Sequence, residues 1–411
     1  MECCLIIVKN FKLIEKMAFR TAYEKKISNT VCLIAICICC SLQGKANIER
    51  TITGSDIDSL TQSATLKRVC KMNCVKGCFP APRGWETPLD TVHFTLSLKI
   101  IFDTDMHTDC DDAGALAVLH ALADRGECEI LAAMCSTKDP QAAAAIDAIN
   151  TYYGRPDIPI GIILNRHGVK MASKYTERLA VDFPNDFDER MAKDAVELYR
   201  SVLERQPDSS VVIVTVGYLT NIKDLLQLPA RPGQLSGVDL VKRKVIKWVC
   251  MGGNFIGRPA VDDLALGNEN FIRDPVSTYY AIHNWPSKLV FVGREVCSVP
   301  SGLEVGEKLN STPLNNPVRK AYELWFNGKA GNRHVADLVS VLYAVRGLRD
   351  YWDIEENGYM YILPDMTFKW DFAINKNQSY LLKRRIDDVP NDRYIEQVLE
   401  ELLIANPAIK H

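Results

Sequence analysis

The amino-acid sequence predicts an α/β fold, with a mostly parallel central sheet flanked by helices. From residue 98 onwards, short apolar runs of strand length alternate with longer helix-forming segments. Repeated strand–helix units of this kind form parallel sheets that are covered by helices. Acidic and small residues follow several of the apolar runs, where sheets of this type place their functional sites.

The first predicted unit begins with the apolar run Leu98–Phe102, which has the length of a buried strand. It continues into Ala113–Arg125, a segment rich in Ala and Leu, which are strong helix formers. The same alternation continues with strand Glu129–Met134, helix Pro140–Tyr153, strand Ile158–Ile163 and helix Arg190–Arg205.

The second half of the domain repeats the pattern. We predict strands at Val211–Val216, Lys247–Met251 and Lys288–Val292, and helices at Asp274–His283 and Val335–Arg346. Because the carboxyl ends of parallel strands meet at one edge of the sheet, the residues around Asp105, Val216 and Gly252 should share one pocket.

The composition fits a globular domain of the size of an enzyme. The chain has 411 residues, a hydrophobic content of 47% and a net charge of −2, which is enough for a large core. Lys and Arg are dispersed, without a basic stripe that contains aromatic residues. We therefore expect neither a nucleic acid nor an anionic membrane surface as the partner.

The loop between the first strand and the first helix carries five carboxylates within ten residues: Asp103, Asp105, Asp109, Asp111 and Asp112. Carboxylates this close to an apolar strand repel one another, and their pKa values rise unless a cation neutralises them. Carboxylate oxygens are ligands that suit Ca²⁺ or Mg²⁺. A solvated acidic turn that caps the helix is the alternative, but the alternating positions after the strand favour a divalent cation site.

This loop resembles a family signature. Asp103-Thr-Asp105-Met-X-X-Asp109-X-Asp111-Asp112-Ala is similar to the amino-terminal motif of the nucleoside hydrolase family, inosine-uridine preferring type, with two more residues than the commonest form. Further landmarks follow in the family's order: 151–160, 211–222, 251–253, 268–275 and 333–345. The resemblance implies a nucleoside hydrolase-like domain with a Rossmann-like core at residues 98–411.

The resemblance also implies an activity, which is Ca²⁺-dependent hydrolysis of the N-glycosidic bond of purine or pyrimidine ribonucleosides. It assigns the metal ligands as the carboxylates of Asp105, Asp112 and Asp337 and the main-chain carbonyl of Val216. Asp105 would also take a proton from the attacking water. Asp111 and Asn270 would bind the ribose hydroxyls.

Four departures from the family pattern stand out, one of which is Cys135-Ser136-Thr137 in place of a usual Gly-Asn pair. His107 replaces a usual Gly, Asn268 replaces a usual Glu, and Ala336 stands where many members carry the His or Trp that assists the leaving base. His107 and His334 are therefore our candidates for the missing acid, and His334 is the first choice. We expect a helix start beside His334, and Ca²⁺ beside His107, to lower their pKa values. The alternative function is a weakened or inactive member that binds a ribosyl ligand or a partner protein.

The amino-terminal region has the pattern of a secretory signal peptide at residues 1–46, with Met17 as an alternative start. An apolar stretch of twelve residues at 31–42 follows Lys25-Lys26 and precedes Ala46. This stretch is too short to span a bilayer as a helix. We expect a secreted protein without membrane contact after signal removal. An uncleaved signal anchor and a homo-oligomer are left open.

Residues 47–97 are predicted to form a separate Cys-containing extension. Of fourteen cysteines, six precede Ala46, and among the remaining eight Cys70, Cys74 and Cys78 form the only cluster. Because no fourth ligand for zinc lies nearby, we expect disulfides here. Sequons at Asn310 and Asn377 fit secretion. The other cysteines are expected to be inert buried thiols: Cys110, Cys128, Cys135, Cys250 and Cys297.

Overall fold

The computed structural model describes residues 97–106, 109–164, 166–255, 269–298, 301–373, 376–386 and 389–408. The predicted signal peptide and the extension up to residue 96, with its cysteine cluster, lie outside these residues. His107 and Asn268 also lie outside them. The predictions for these segments and residues therefore stay predictions.

Most of the strands form one nine-stranded sheet. In chain order the strands of this sheet and of three short pairs are β1 Leu98–Thr104, β2 Cys128–Cys135, β3 Ile160–Ile162, β4 Lys193–Asp194, β5 Val211–Thr215, β6 Val245–Met251, β7 Lys288–Val292, β8 Glu304–Val305, β9 Arg333–His334, β10 Trp352–Glu355, β11 Tyr359–Ile362, β12 Phe368–Asp371, β13 Gln378–Lys383, β14 Arg385–Ile386 and β15 Val389–Pro390. The order in the large sheet is β10-β13-β7-β6-β5-β1-β2-β3-β4. Only β10 and β13 pair antiparallel within it, so the predicted mostly parallel sheet is confirmed.

Twelve helices accompany the sheet in the described residues. They are α1 Asp111–Asp124, α2 Ala142–Tyr152, α3 Thr176–Asp182, α4 Ala195–Glu204, α5 Thr220–Leu226, α6 Gly237–Lys244, α7 Glu269–Arg273, α8 Pro275–Asn284, α9 Arg294–Cys297, α10 Pro317–Trp325, α11 Ala336–Arg346 and α12 Asp392–Leu403. None of them is long and apolar enough to cross a membrane.

Helices cover both faces of the sheet, and alternate residues of the central strands pack against them. Ile100 and Phe102 of β1 share one core with α1, α2, α11 and α12, whereas Ile101 shares the other core with α4, α5, α6 and α8. This alternation follows from the period of two in a strand. The five cysteines predicted to be buried thiols are buried and free, as expected.

The neighbouring strands β1 and β5 mark the point at which the sheet order reverses. From β1 the chain proceeds through β2 and β3 in one direction, and from β5 through β6 and β7 in the other. The crevice at the carboxyl ends of such strands is where α/β folds bind ligands. Gly217, after β5, lets the two strand ends approach, because a Cβ at this position would lie 2.4 Å from the main-chain nitrogen of Asp105.

One predicted helix begins later than expected. The segment predicted as helix from Arg190 starts with a 3₁₀ turn at Glu189–Met191 and the edge strand β4, and α4 begins only at Ala195. Asp194 accounts for this start, because its carboxylate accepts hydrogen bonds from the main-chain N–H groups of Val196 and Glu197. The Asp194 cap therefore sets the boundary, which apolar periodicity alone does not show.

Loss of the hydroxyl group should change the free energy of unfolding differently at two buried tyrosines. Among the described residues no group pairs with the Tyr322 hydroxyl, whereas Tyr199 donates a 2.8 Å hydrogen bond to Asp103 Oδ2. Tyr322→Phe should therefore leave the free energy of unfolding unchanged or raise it. Tyr199→Phe should lower it by about 1–3 kcal/mol, because it removes one partner of a buried pair. Urea unfolding of both variants checks this, and equal destabilisation by the two would contradict it.

Candidate active site

The first acidic residue after β1 supports the site from behind. Asp103 is fully buried, and its carboxylate accepts hydrogen bonds from the Tyr199 hydroxyl and from Asn221 Nδ2. Burial raises the pKa of Asp103 to about 7, against the effect of these hydrogen bonds. Asn221 also donates to the carbonyl of Cys135. Its side chain, at the start of α5, therefore connects the ends of β1 and β2.

The turn that follows β1 brings Asp112 back onto the strand end. Met106 has a positive φ of 37°, which is uncommon for a residue other than glycine. Its N–H donates to Thr104 Oγ1 at 3.0 Å and to Asp112 Oδ1 at 3.2 Å, and the Thr104 hydroxyl also bonds to Asp112. The start of α1 is thereby fixed against β1.

A cavity of about 270 Å³ lies at the carboxyl ends of β1, β5 and β6. The predicted site residues in its wall are Asp105, Asp111, Asp112, Val216, Asn270, His334 and Asp337. Every predicted site residue that the structure describes therefore lines one pocket. The wall also contains residues for which we predicted no role, including Asp109, Glu269, Arg294, Ser298 and Arg333.

Three carboxylates in this wall are close enough to hold one cation. Oxygens of Asp111, Asp112 and Asp337 lie within 4.8 Å of one another, and the three residues are 2–4% exposed. Burial, and then the neighbouring carboxylates, raise the pKa of each of the three. Buried oxygen donors that repel one another in this way fit a divalent cation such as Ca²⁺.

This compact group differs from the predicted ligand set, because it contains Asp111, predicted to bind ribose, in place of Asp105. Asp105 lies beside the group in the same wall. Burial, and to a smaller extent the charge of Asp111, raise its pKa to about 7, against the effect of its contact with Asp112. On the neighbouring strand end, the Val216 carbonyl accepts a 2.7 Å hydrogen bond from Asn270 Nδ2. The structure thus places the predicted metal-ligand carbonyl next to a predicted ribose contact.

His334 lies between two carboxylates of the acidic loop. Its Nε2 is 3.2 Å from Asp109 Oδ2, and its Nδ1 is 3.3 Å from Asp111 Oδ2. Burial by itself lowers the pKa of His334, but the carboxylates of Asp111 and Asp109 outweigh burial and raise it to about 9. The expected lowering by the start of α11 is therefore wrong, because both carboxylates lie beside the ring.

Arg333 lines the site although we predicted no role for it from the sequence. Arg333 Nε lies 2.9 Å from both carboxylate oxygens of Asp109, and its Nη2 also contacts Oδ2. Burial opposes ionisation of Asp109, but hydrogen bonds from His334 and Arg333 outweigh it and hold the pKa of Asp109 at about 2. These partners are 224 residues apart in sequence, so no local pattern could connect them.

The fold and the pocket together define an α/β protein with a carboxylate-lined cation site at the switch point of its sheet. Residues 100–366 match the inosine-uridine preferring nucleoside hydrolase family. Because this match spans more than half of the chain, the chain belongs to that family. The family is metal-dependent, and family and fold support N-ribohydrolase activity in general.

Solved structures of nucleoside hydrolases share the fold. An inosine-uridine preferring nucleoside hydrolase from Bacillus anthracis is 12% identical, with a TM-score of 0.54 over 74% of this chain and 99% of that chain. A purine-preferring ribonucleoside hydrolase from Gardnerella vaginalis is 16% identical, with a TM-score of 0.54 over 74% and 98%.

A third similar structure is a type III effector protein, XopQ, in complex with adenosine diphosphate ribose. It is 15% identical, with a TM-score of 0.53 over 76% of this chain and 94% of that chain. Comparison with curated protein sequences gives no match.

Neutralising one carboxylate should have opposite effects on stability with and without a divalent cation. The pKa of Asp337 is raised above its value in the unfolded chain, so this carboxyl group lowers the stability of the folded protein at pH 8, which is well above its pKa in the unfolded chain. Asp337→Asn should therefore raise the melting temperature in EDTA. In excess Ca²⁺ the wild type should be the more stable, because it binds the cation better.

Thermal unfolding at pH 8 in the two buffers measures this reversal. Asp157→Asn, which neutralises an exposed carboxylate with no role in the pocket, is the control and should follow the wild type in both buffers. A lower melting temperature for Asp337→Asn in EDTA would contradict the repulsion, and a melting temperature that is not lower in Ca²⁺ would contradict cation binding by Asp337.

Proposed function

We propose that this protein hydrolyses the N-glycosidic bond of ribonucleosides in a Ca²⁺-dependent reaction that releases ribose and the free base. The observation that carries the proposal is the convergence of Asp105, Asp112, Asp337 and the Val216 carbonyl on one buried pocket. Family membership indicates the reaction that these residues would serve, which is hydrolysis of an N-riboside. This reaction needs an activated water and a bound sugar.

Asp105, Asp112, Asp337 and the Val216 carbonyl would hold the cation. When bound, Ca²⁺ would position the attacking water and lower its pKa. The donors suit it, because all are oxygens and three are carboxylates whose mutual repulsion the cation would relieve. The buried setting strengthens the interaction of these charges with the cation.

Asp105 would accept the proton of the attacking water. Its place in the pocket wall beside the other proposed ligands would bring its carboxylate close to that water, and a positioned carboxylate can act as a general base. Asp111 and Asn270, in the same wall, would hydrogen-bond the ribose hydroxyls and orient the anomeric carbon towards the water. Binding of the sugar in this orientation contributes to the rate by reducing the entropy lost in the reaction.

His334 would donate a proton to the departing base. Ala336 also lines the pocket but has no group that can donate, whereas the His334 ring reaches the pocket from β9, two residues earlier. With a pKa of about 9, the imidazole carries its proton at neutral pH. General acid assistance of this kind contributes about 10²–10⁴-fold to the rate. For His107, the second candidate for this acid, the role rests on sequence alone.

Ribose release from a panel of purine and pyrimidine ribonucleosides tests the proposal. The wild type should release ribose in Ca²⁺ and not in EDTA. Asp105→Ala should abolish turnover, because it removes a metal ligand and the base together, and Asp157→Asn should keep full activity.

Wild-type turnover by Asp105→Ala would show that the proposed mechanism is wrong. Saturable binding of nucleosides without ribose release would instead support the alternative of a ribosyl-binding protein that has lost catalysis. Binding can be followed by calorimetry with the same nucleosides.

A further inference from the structure

Among the acidic residues of the loop, Asp109 has the carboxylate with the most contacts to protein donor groups. Oδ1 accepts a 2.8 Å hydrogen bond from the Cys110 N–H and a 2.9 Å bond from Arg333 Nε. Oδ2 contacts Arg333 through two nitrogens and lies 3.2 Å from His334 Nε2. The main-chain carbonyl of Asp109 also accepts a 2.8 Å hydrogen bond from the Tyr175 hydroxyl. Asp109 is thus held as a fixed anion and has little capacity left for a cation.

Arg333 is itself held from the opposite side. Its guanidinium group lies 5.1 Å from the ring centre of Trp325, the last residue of α10. Stacking on an aromatic ring and two-nitrogen contact with a carboxylate both suit the planar guanidinium and not the ammonium of lysine. Arg333 therefore joins α10 to the acidic loop in a defined geometry.

His334, the next residue, owes its position to this pair. Its side chain is 14% exposed, and the contact of Nε2 with Asp109 directs the other ring nitrogen towards Asp111 in the pocket. Nδ1 is buried and, within the described part of the chain, has no hydrogen-bond partner, although Asp111 Oδ2 is 3.3 Å away. With Nε2 held by Asp109, Nδ1 is therefore the ring nitrogen that can hydrogen-bond a polar atom of a molecule in the cavity.

We propose that Asp109 and Arg333 are positioning residues that hold the His334 ring in its productive orientation, a role that rests on the proposed function. Asp109 anchors one ring nitrogen, Arg333 fixes Asp109, and the other ring nitrogen is left to serve the leaving base. Neither Asp109 nor Arg333 need touch the substrate, and neither is a metal ligand in this account.

A double-mutant cycle on kcat tests the proposal. Asp109→Asn should lower kcat by about 10²-fold, because misplacing a catalytic group by about 1 Å has an effect of this size. KM should be unchanged. In the His334→Ala background, Asp109→Asn should lower kcat no further, since the residue it positions is gone. Arg333→Lys, which keeps the charge but loses the planar contact, should behave as Asp109→Asn does.

Glu127→Gln is the matched control. Arg346 and Glu127 form a similar two-nitrogen ion pair between α11 and the start of β2, away from the pocket. Glu127→Gln should lower the melting temperature and leave kcat unchanged. This separates loss of an ion pair from loss of positioning.

Ca²⁺ affinity, measured by calorimetry, should be the same for Asp109→Asn and the wild type. Weaker Ca²⁺ binding by Asp109→Asn would make Asp109 a metal ligand and overturn the proposal, as would additive losses of kcat in the cycle. Absence of turnover in the wild type would overturn the proposed function itself, and the positioning role with it, so the two failures are distinguishable.

Discussion

Repulsion between buried carboxylates at the switch point of the sheet is the constraint on which this structure depends. Asp111, Asp112 and Asp337 are almost fully buried, their oxygens lie within 4.8 Å of one another, and Asp105 lies beside them in the same wall. A fold that only had to be stable would not bring these groups together, because burial of each charge is costly. The arrangement is understandable if a divalent cation binds between them.

Several features of the local structure serve to hold these charges. Asp111 and Asp112 occupy the first turn of α1, where the helix dipole favours negative charge. The positive φ of Met106 turns its N–H towards Asp112, and Gly217 allows the end of β5 to approach Asp105. The third carboxylate comes from the first turn of α11, far along the chain.

Much of the fold could be predicted from the sequence because parallel sheets carry a local signal. Apolar runs such as 211–216 and Ala-rich segments such as 142–152 are visible without tertiary information. The boundary at Ala195 was missed, because the Asp194 cap decides it. Short helices such as α3 and α6 were also missed, since helices of seven or eight residues depend on packing against the rest of the fold more than on their own propensity.

Only part of the site could be predicted from the sequence, and that prediction depended on the acidic loop and on the family resemblance. The acidic loop suggests a cation by its own chemistry, but Asp337 and Val216 entered only through the family resemblance. The partnership of Arg333 with Asp109, and the raised pKa of His334 that follows from neighbouring carboxylates, depend on contacts between segments more than two hundred residues apart. No pattern in one sequence carries that information.

Calorimetric titration of Ca²⁺ into chelator-treated protein tests the central claim most directly. The account predicts saturable binding of a single ion by the wild type, and loss of that binding in Asp112→Asn, which keeps the shape of the residue but not its charge. Absence of Ca²⁺ binding by the wild type, or equal binding by Asp112→Asn, would contradict it.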